Sequence, residues 1–353
     1  MKKINCLKEL SILLVSIIIL GSCSPKNRLT ISVTEPAPVN INPNIKSIGI
    51  IDRSAPSDKT KTLDKLDKIL SLEGKNMDLE GAHEAVTGLF DELSINNRIN
   101  EVKTLECVEE KSPGLSIFPA ALSWNKIEQI CNENEVDAIF ALSFYDTDAT
   151  IDYNTVQTEI EAPFGLTIPA IEHQVTINTT IKIGWRIYDP TNKFIADEFI
   201  LNENIVSQGR GINPLKAIEA IIERKQAVLQ ISNNIGHFYG SRIVPYRTRV
   251  SRYYFVKGTD NFKVGKRRAQ TGDWDGAAEL WKKEVSNPKS KIAGRACYNM
   301  AIISEINGDL DAAVKWASKS YSDYKNKTAL SYINVLKYRI LKNKRLEEQL
   351  ADN

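Results

Sequence analysis

Histidine is scarce in this chain of 353 residues, which holds only His83, His173 and His237. Hydrolysis by an activated serine or cysteine needs a histidine base steadied by a carboxylate, and none of the three stands in such a motif. His83-Glu84 lacks the second histidine one helical turn away that a zinc peptidase requires. Asp146, Asp148 and Asp152 have the opening spacing of a calcium loop, but no glycine fills its sixth place and Gln157 stands where the bidentate glutamate belongs. Gly209-Arg210-Gly211 precedes a helical stretch without the rest of a dinucleotide fingerprint, and reads as a loop leading into that helix. No spacing singles out a pair of carboxylates for glycoside cleavage. The chain is therefore expected to be no enzyme, with no catalytic residue, no metal and no cofactor.

Long apolar runs are missing as well. Leu10 to Leu20, at about 11 residues, is too short to cross a bilayer and suits the core of a signal peptide. Lys2, Lys3 and Lys8 supply its basic flank, and Leu20-Gly21-Ser22-Cys23 resembles a bacterial lipobox. On this reading residues 1–22 are a signal peptide that is removed. Cys23 becomes the acylated first residue, and residues 23–28 form a short tether to the membrane. Two or more acyl chains make such an anchorage stable. Ser24 to Arg28 include neither an aspartate that would favour inner-membrane retention nor an acidic export cluster. The expected location is the outer membrane, lipid-anchored and facing the periplasm.

Cysteine is sparse once this is taken into account. Of five, Cys6 leaves with the leader and Cys23 carries lipid, so Cys107, Cys131 and Cys297 remain. An oxidising compartment would permit a Cys107–Cys131 disulfide, whose loop of roughly 25 residues could contribute about 3 kcal/mol. Buried free thiols are the alternative, and Cys297 beside Tyr298 and Met300 reads as core.

Net charge nearly vanishes, at 43 basic against 43 acidic residues from Cys23 onward. The balance conceals a split. Residues 246–353 carry 22 Lys and Arg against 12 acids, and residues 23–245 carry 21 against 31. A basic C-terminal part suits an acidic partner, anionic headgroups, or merely a solvated helical surface. The envelope compartment disfavours nucleic acid.

What is present divides into two styles. Leu29–Val33 alternates like a strand before Pro36, Pro38 and Pro43, and Ile48–Ile51 is a buried strand. Lysine-rich residues 55–75 form a loop or helix, Asp78–Leu93 has helical spacing, residues 100–107 are extended, and Ser123 opens a helix to Asn134. Val136–Tyr145 reads as a buried strand, with Asp146–Gln157 turning back as its partner. Glu161–Glu172 reads as a proline-bearing loop, and Val175–Tyr188 with Lys193–Asn204 as a hairpin over Asp189-Pro190-Thr191-Asn192. A helix of about 25 residues starts at Pro214, and Val250–Val256 adds a last strand. These elements give an α+β domain over residues 29–256.

From Lys257 strands vanish, and residues 257–353 are expected to form an all-α domain. A shift of 36 residues aligns Phe262 with Tyr298, Gly265 with Ala301, Gly272-Asp273 with Gly308-Asp309, and Ala277 with Ala313. Small residues suit positions where two helices of a hairpin touch. The units resemble tetratricopeptide repeats, departing from them at Arg268, Ser304 and Ala317.

The five tryptophans follow helical or strand periodicity, which favours core over a sugar-stacking platform. Phe164 and Ile168, in the expected loop, are the better candidates for an exposed apolar contact. Arg267 and Arg268 are the charged candidates for partner binding.

Glu35-Pro36-Ala37-Pro38 leading to Ile48-Gly49-Ile50-Ile51-Asp52-Arg53-Ser54, and Pro245-Tyr246 leading to Val250-Ser251-Arg252-Tyr253-Tyr254, are also distinctive. With the lipobox, they resemble a family of Bacteroidota lipoproteins with a tetratricopeptide-like C-terminal part. The resemblance implies an anchor and a fold and assigns no activity or site residue. At fold level the first domain is also loosely similar to envelope lipoprotein domains of curli-type secretion and of the Tol system. The expected role is a non-enzymatic scaffold or accessory subunit bound to another envelope protein, the alternative being a glycan-binding protein or hydrolase with a novel site.

Overall fold

Runs such as Ile48–Ile51 and Ala138–Leu142 are apolar at successive positions, so both of their faces must be covered. The computed structural model, which describes residues 25–55, 65–106, 111–112, 116–162, 165–221 and 224–351, shows how. The chain folds as two compact units, residues 37–244 and, from both sides of them, residues up to 36 together with 245–351.

The first unit is built on a five-stranded mixed sheet. In chain order its strands are β2 (Ser47–Asp52), β3 (Glu101–Leu105), β4 (Ala138–Ala162), β5 (Leu166–Asp189) and β6 (Phe194–Gly211), arranged β3-β2-β4-β5-β6. β2 runs parallel to both neighbours, and β4, β5 and β6 form an antiparallel meander. Helices α1 (Lys65–Ser94) and α4 (Arg224–Ser241) cover one face, where Leu89, Leu93 and Tyr239 meet Ile48, Ile50, Phe140 and Trp185. On the other face α2 (Trp124–Asn134) packs Ile127 and Cys131 on Ile51, Ile139 and Ala141. The two-residue period of a strand thus sends alternate side chains to two different cores.

α1 and α4 approach closely because each presents glycine at the crossing. A Cβ on Gly88 would lie 2.0 Å from the Asn233 carbonyl oxygen, and one on Gly236 2.0 Å from that of Ala85.

Several expectations are corrected here. Asp146 does not begin a turn, since β4 continues unbroken for 25 residues and pairs with β5 through Ala162↔Leu166. Residues 166–172 are strand rather than loop, with Pro169 opposite Glu159 in the stretch beyond the end of β6, where strand proline is tolerated. The helix expected from Pro214 is two helices, α3 (Pro214–Glu219) and α4. Gly209-Arg210-Gly211 is the end of β6 rather than a loop, and α3 lies so close to it that a Cβ on Gly209 would sit 1.9 Å from the Ala217 carbonyl oxygen.

The second unit joins β1 (Lys26–Glu35) to β7 (Tyr246–Phe255) as an antiparallel ribbon, from Lys26↔Phe255 to Glu35↔Tyr246. It also contains α5 (Asp260–Gln270), α6 (Trp274–Lys282), α7 (Ser290–Ile306), α8 (Leu310–Ser322) and α9 (Lys327–Ala351). The expected division after residue 256 therefore differs from the structure, in which both ribbon strands belong with the helices. The reason is burial: Leu29, Tyr254 and Phe255 share one core with Phe262, Trp281, Tyr298 and Tyr332. Residues 260–351 are all helical, as expected. Gly272 (φ 85°) and Gly308 (φ 83°) take the left-handed backbone between α5 and α6 and between α7 and α8. Asp273 and Asp309 then cap the following helices by accepting from Gly276 N and Ala312 N.

A buried polar cluster pins the ribbon to the helices. The Glu305 carboxylate, with no exposed side-chain surface, accepts from Arg252 at 2.8 Å, Arg339 at 2.6 Å and the Tyr332 hydroxyl at 2.6 Å. Burial alone would raise the Glu305 pKa, but these donors outweigh it and hold the carboxyl below its usual range.

Candidate interaction surface

β6 ends at Gly211, opposite His173, so the β4–β5 hairpin continues without a third strand. Residues 156–162 and 166–172 form this two-stranded extension, about 20 Å long at the usual strand rise. Beyond Asp52↔Leu142, the outer edge of β4 also has no strand partner among the described residues. An edge of this kind presents unpaired backbone donors and acceptors, a ready template for another chain.

Strand alternation puts Val156, Ala170 and Glu172 on the same face as Ile168, and Tyr153, His173 and Ile171 on the opposite one. Val156 is 41 % exposed, Ile168 48 % and Ile171 60 %, so apolar side chains meet solvent on both faces. The Tyr153 hydroxyl and His173 Nδ1 are hydrogen-bonded at 2.5 Å with their rings stacked. This pair stiffens the ribbon where the third strand ends.

Of the residues singled out by sequence, Ile168 is exposed as expected, although on a strand, while Phe164 lies outside the described residues. Arg267 and Arg268 are adjacent on α5 and differ in employment. Arg267 is exposed, whereas Arg268 donates to the Gly276 carbonyl at 3.1 Å and lies 3.7 Å from Asp273, bracing the α5–α6 turn. Both belong to the unit of residues 245–351, and the β4–β5 extension to the other.

Cys23 and Cys107 lie outside the described residues. Cys131 is a buried free thiol whose pKa burial pushes up to about 11, and Cys297 is another, also pushed up to about 11. Both are held as neutral core groups. Asp146, Asp148 and Asp152 extend along one strand, with Asp148 bound to Lys182 and Asp152 to Asn178, so they form no chelating loop. The histidines are dispersed on α1, β5 and α4, and no metal-sized cluster of ligating side chains occurs among the described residues. Trp185 and Trp281 are fully buried, and Trp124, Trp274 and Trp316 pack against core clusters.

A mixed-sheet unit and a unit in which five helices pack on a two-stranded ribbon define the class of protein. Residues 45–255 match the family described as Domain of unknown function (DUF8603), and because that is more than half of the chain, the protein belongs to this family. Residues 263–338 match a second description, Domain of unknown function (DUF6340). No curated protein matches the chain. Among solved structures it is similar to the PelC dodecamer from Paraburkholderia phytofirmans, at 8% identity and a TM-score of 0.26 over 62% of this chain and 98% of that one. It is also similar to a neuraminyllactose-binding hemagglutinin homolog from Helicobacter pylori, at 13% identity and a TM-score of 0.27 over 59% and 92%.

Proposed function

We propose that the protein is a lipid-anchored outer-membrane lipoprotein of the Bacteroidota type, facing the periplasm, that serves as a non-enzymatic scaffold or accessory subunit for another envelope protein. The observation that carries the binding reading is the β4–β5 extension, with an unpaired strand edge and exposed Val156, Ile168 and Ile171. A partner segment would gain main-chain hydrogen bonds along β4 and burial against these side chains, the physical basis of strand addition.

The helical unit is read as a tetratricopeptide-like module of two hairpins and a terminal helix. Supporting this, Gly265 lies where a Cβ would meet the Trp281 ring at 2.6 Å, and Ala277, Ala301 and Ala313 are fully buried. The anchor reading rests on the lipobox and on how close Cys23 lies to the first strand. β1 starts at Lys26, three residues after Cys23. A segment of that length reaches at most about 11 Å, so an acylated Cys23 would keep the helical unit, to which β1 belongs, at the membrane surface.

The test is a photocrosslinking amino acid placed at Ile168 and, separately, at the exposed Glu133 of α2, in cells carrying the full-length protein. One envelope protein, joined in high yield from position 168 and not from 133, and lost with Val156→Asp, is the expected result. Equal, diffuse labelling from both positions would overturn the reading.

A further inference from the structure

One cleft in the helical unit has a single sign of charge. It is lined by Phe255, Lys291, Gly294, Arg295, Tyr324 and residues 325–328, a space of about 320 Å³. Its four cationic side chains, Lys291, Arg295, Lys325 and Lys327, are met by no lining carboxylate. A second cleft of this unit, about 260 Å³, differs in mixing Asp309, Asp311 and Glu347 with Lys344.

The walls of the basic cleft are fixed. Arg295 donates to the Lys257 carbonyl at 2.6 Å with its guanidinium 5.2 Å from the centre of the Phe255 ring. Asn326 donates to the Ser320 hydroxyl at 3.0 Å, and Tyr324 to the Val285 carbonyl at 2.9 Å. Lys325 holds a left-handed backbone at φ 54° between Tyr324 and Asn326. The ammonium groups of Lys291, Lys325 and Lys327 make no hydrogen bond or ion pair among the described residues. The nearest acid in the sequence, Asp323, is taken by Lys319 at 2.8 Å. Burial also lowers the pKa of Arg295, a desolvated cation that a bound anion would relieve.

We infer that this cleft binds the phosphate group of an anionic lipid headgroup. Four cations without a counter-charge repel one another, and an oxyanion among them removes that cost while gaining charge-assisted hydrogen bonds. A space of about 300 Å³ is at the lower end of small-molecule sites, room for a phosphate with its attached glycerol.

The source of the phosphate follows from the chain itself, and this step rests on the anchor reading. Lys26 borders the cleft, donating to the Thr328 hydroxyl at 3.1 Å with its ammonium 5.4 Å from the centre of the Phe255 ring. Cys23 is three residues away. Acyl chains on Cys23 would therefore bring the cleft to within roughly a Debye length or so of the headgroups, where surface potential concentrates its effect on basic groups.

The experiment measures amine acylation of individual lysines by mass spectrometry on the full-length protein purified from its own membranes. It compares nanodiscs of phosphatidylcholine alone, nanodiscs containing phosphatidylglycerol, and detergent solution with inorganic phosphate or glycerol 3-phosphate. In the anionic discs Lys291, Lys325 and Lys327 should react on the order of fivefold more slowly than in neutral discs, as for a site kept mostly occupied. Lys283 on the surface outside the cleft should not change. Lys327→Glu should abolish the protection at Lys291 without altering the unfolding temperature. Protection by inorganic phosphate with identical rates in both discs would overturn the headgroup as the source. No protection in any arm would overturn the site. Intact mass from the same preparation reads Cys23: protection by phosphate in a protein without acyl groups would refute the anchor and leave the oxyanion site standing.

Discussion

Asn299 on α7 treats Phe255 as a strand would. Its Oδ1 accepts from the Phe255 N–H and its Nδ2 donates to the Phe255 carbonyl, both at 2.7 Å and both buried. β7 ends here on the helices, and a side-chain amide is the one group of this size able to satisfy a backbone donor and acceptor together. Asn299→Ala leaves both orphaned and should cost about 2–4 kcal/mol. Asn299→Asp should be no milder, since it turns a carboxylate oxygen toward the Phe255 carbonyl. Urea unfolding read from tryptophan fluorescence measures both, and near-wild-type stability in either variant would deny the clamp.

Glu305 should give the helical unit an acid-sensitive edge. Its pKa is lower in the folded chain than in the unfolded one, so the unfolded state binds the proton more readily. The stability it contributes is complete above the ordinary glutamate pKa of about 4.3 and is lost as pH falls through the lower folded value. Glu305→Gln leaves Arg252 and Arg339 buried without their anion and should cost about 3–5 kcal/mol at neutral pH. The same change should flatten the loss of stability between about pH 5 and 3. Unfolding midpoints followed across pH decide this. Parallel profiles for the two proteins would show that Glu305 is not the group titrating.

The crossing of α1 and α4 predicts a substitution that ought to fail despite improving helix propensity. Gly236→Ala gains about 1 kcal/mol of intrinsic preference in a helix interior. The new methyl would nevertheless meet the Ala85 carbonyl oxygen at 2.0 Å, and backbone cannot swing aside as a side chain can. Overpacking of this kind costs about 1–3 kcal/mol beyond what it repays. A lowered unfolding temperature, with Gly88→Ala behaving alike, is the expected measurement.

Cys131 and Cys297 are core thiols, and their chemistry should say so. With pKa values pushed up to about 11, almost no thiolate exists at pH 8. Both should resist alkylation in the native protein and react promptly in denaturant. Rapid native labelling of Cys131 would mean that α2 opens.

The sequence revealed elements whose pattern is local. Ile48–Ile51, the Asp189–Asn192 turn and the Ser123 cap are legible because alternation, turn residues and caps act within a few positions. Asp146 misled because an acid in a strand resembles a turn signal, whereas its neighbours Phe144 and Tyr145 are buried and the ladder runs on through Phe144↔Gly184, Tyr145↔Ile183 and Asp146↔Lys182. The placement of β1 with β7 was hidden for a different reason: partners 223 residues apart, such as Arg28 and Ser251, leave no local trace of each other. Ile168 could be marked from its apolar character beside prolines. Lys291 and Arg295 could not be joined to Lys325 and Lys327 before α7 and α9 were seen to share a cleft.

Cys23 is the residue on which the membrane placement turns. Thioether-linked acyl chains bury about 0.8 kcal/mol per methylene, so losing them should move the protein from the membrane pellet to the soluble periplasm. A signal peptide that merely remained uncleaved would behave otherwise, since residues 10–20 are apolar whether or not position 23 is a thiol. Cys23→Ala therefore separates the two cases when fractionation is combined with intact mass. Release from the membrane, with wild-type protein heavier than its polypeptide from Cys23 onward by the mass of its acyl groups, is the expected outcome. Retention of Cys23→Ala in the membrane at the mass of the full chain would make the leader itself the anchor. The cleft beside Lys26 would then be held farther from the headgroups by the whole length of the tether and leader junction, and its protection by anionic discs should weaken in step.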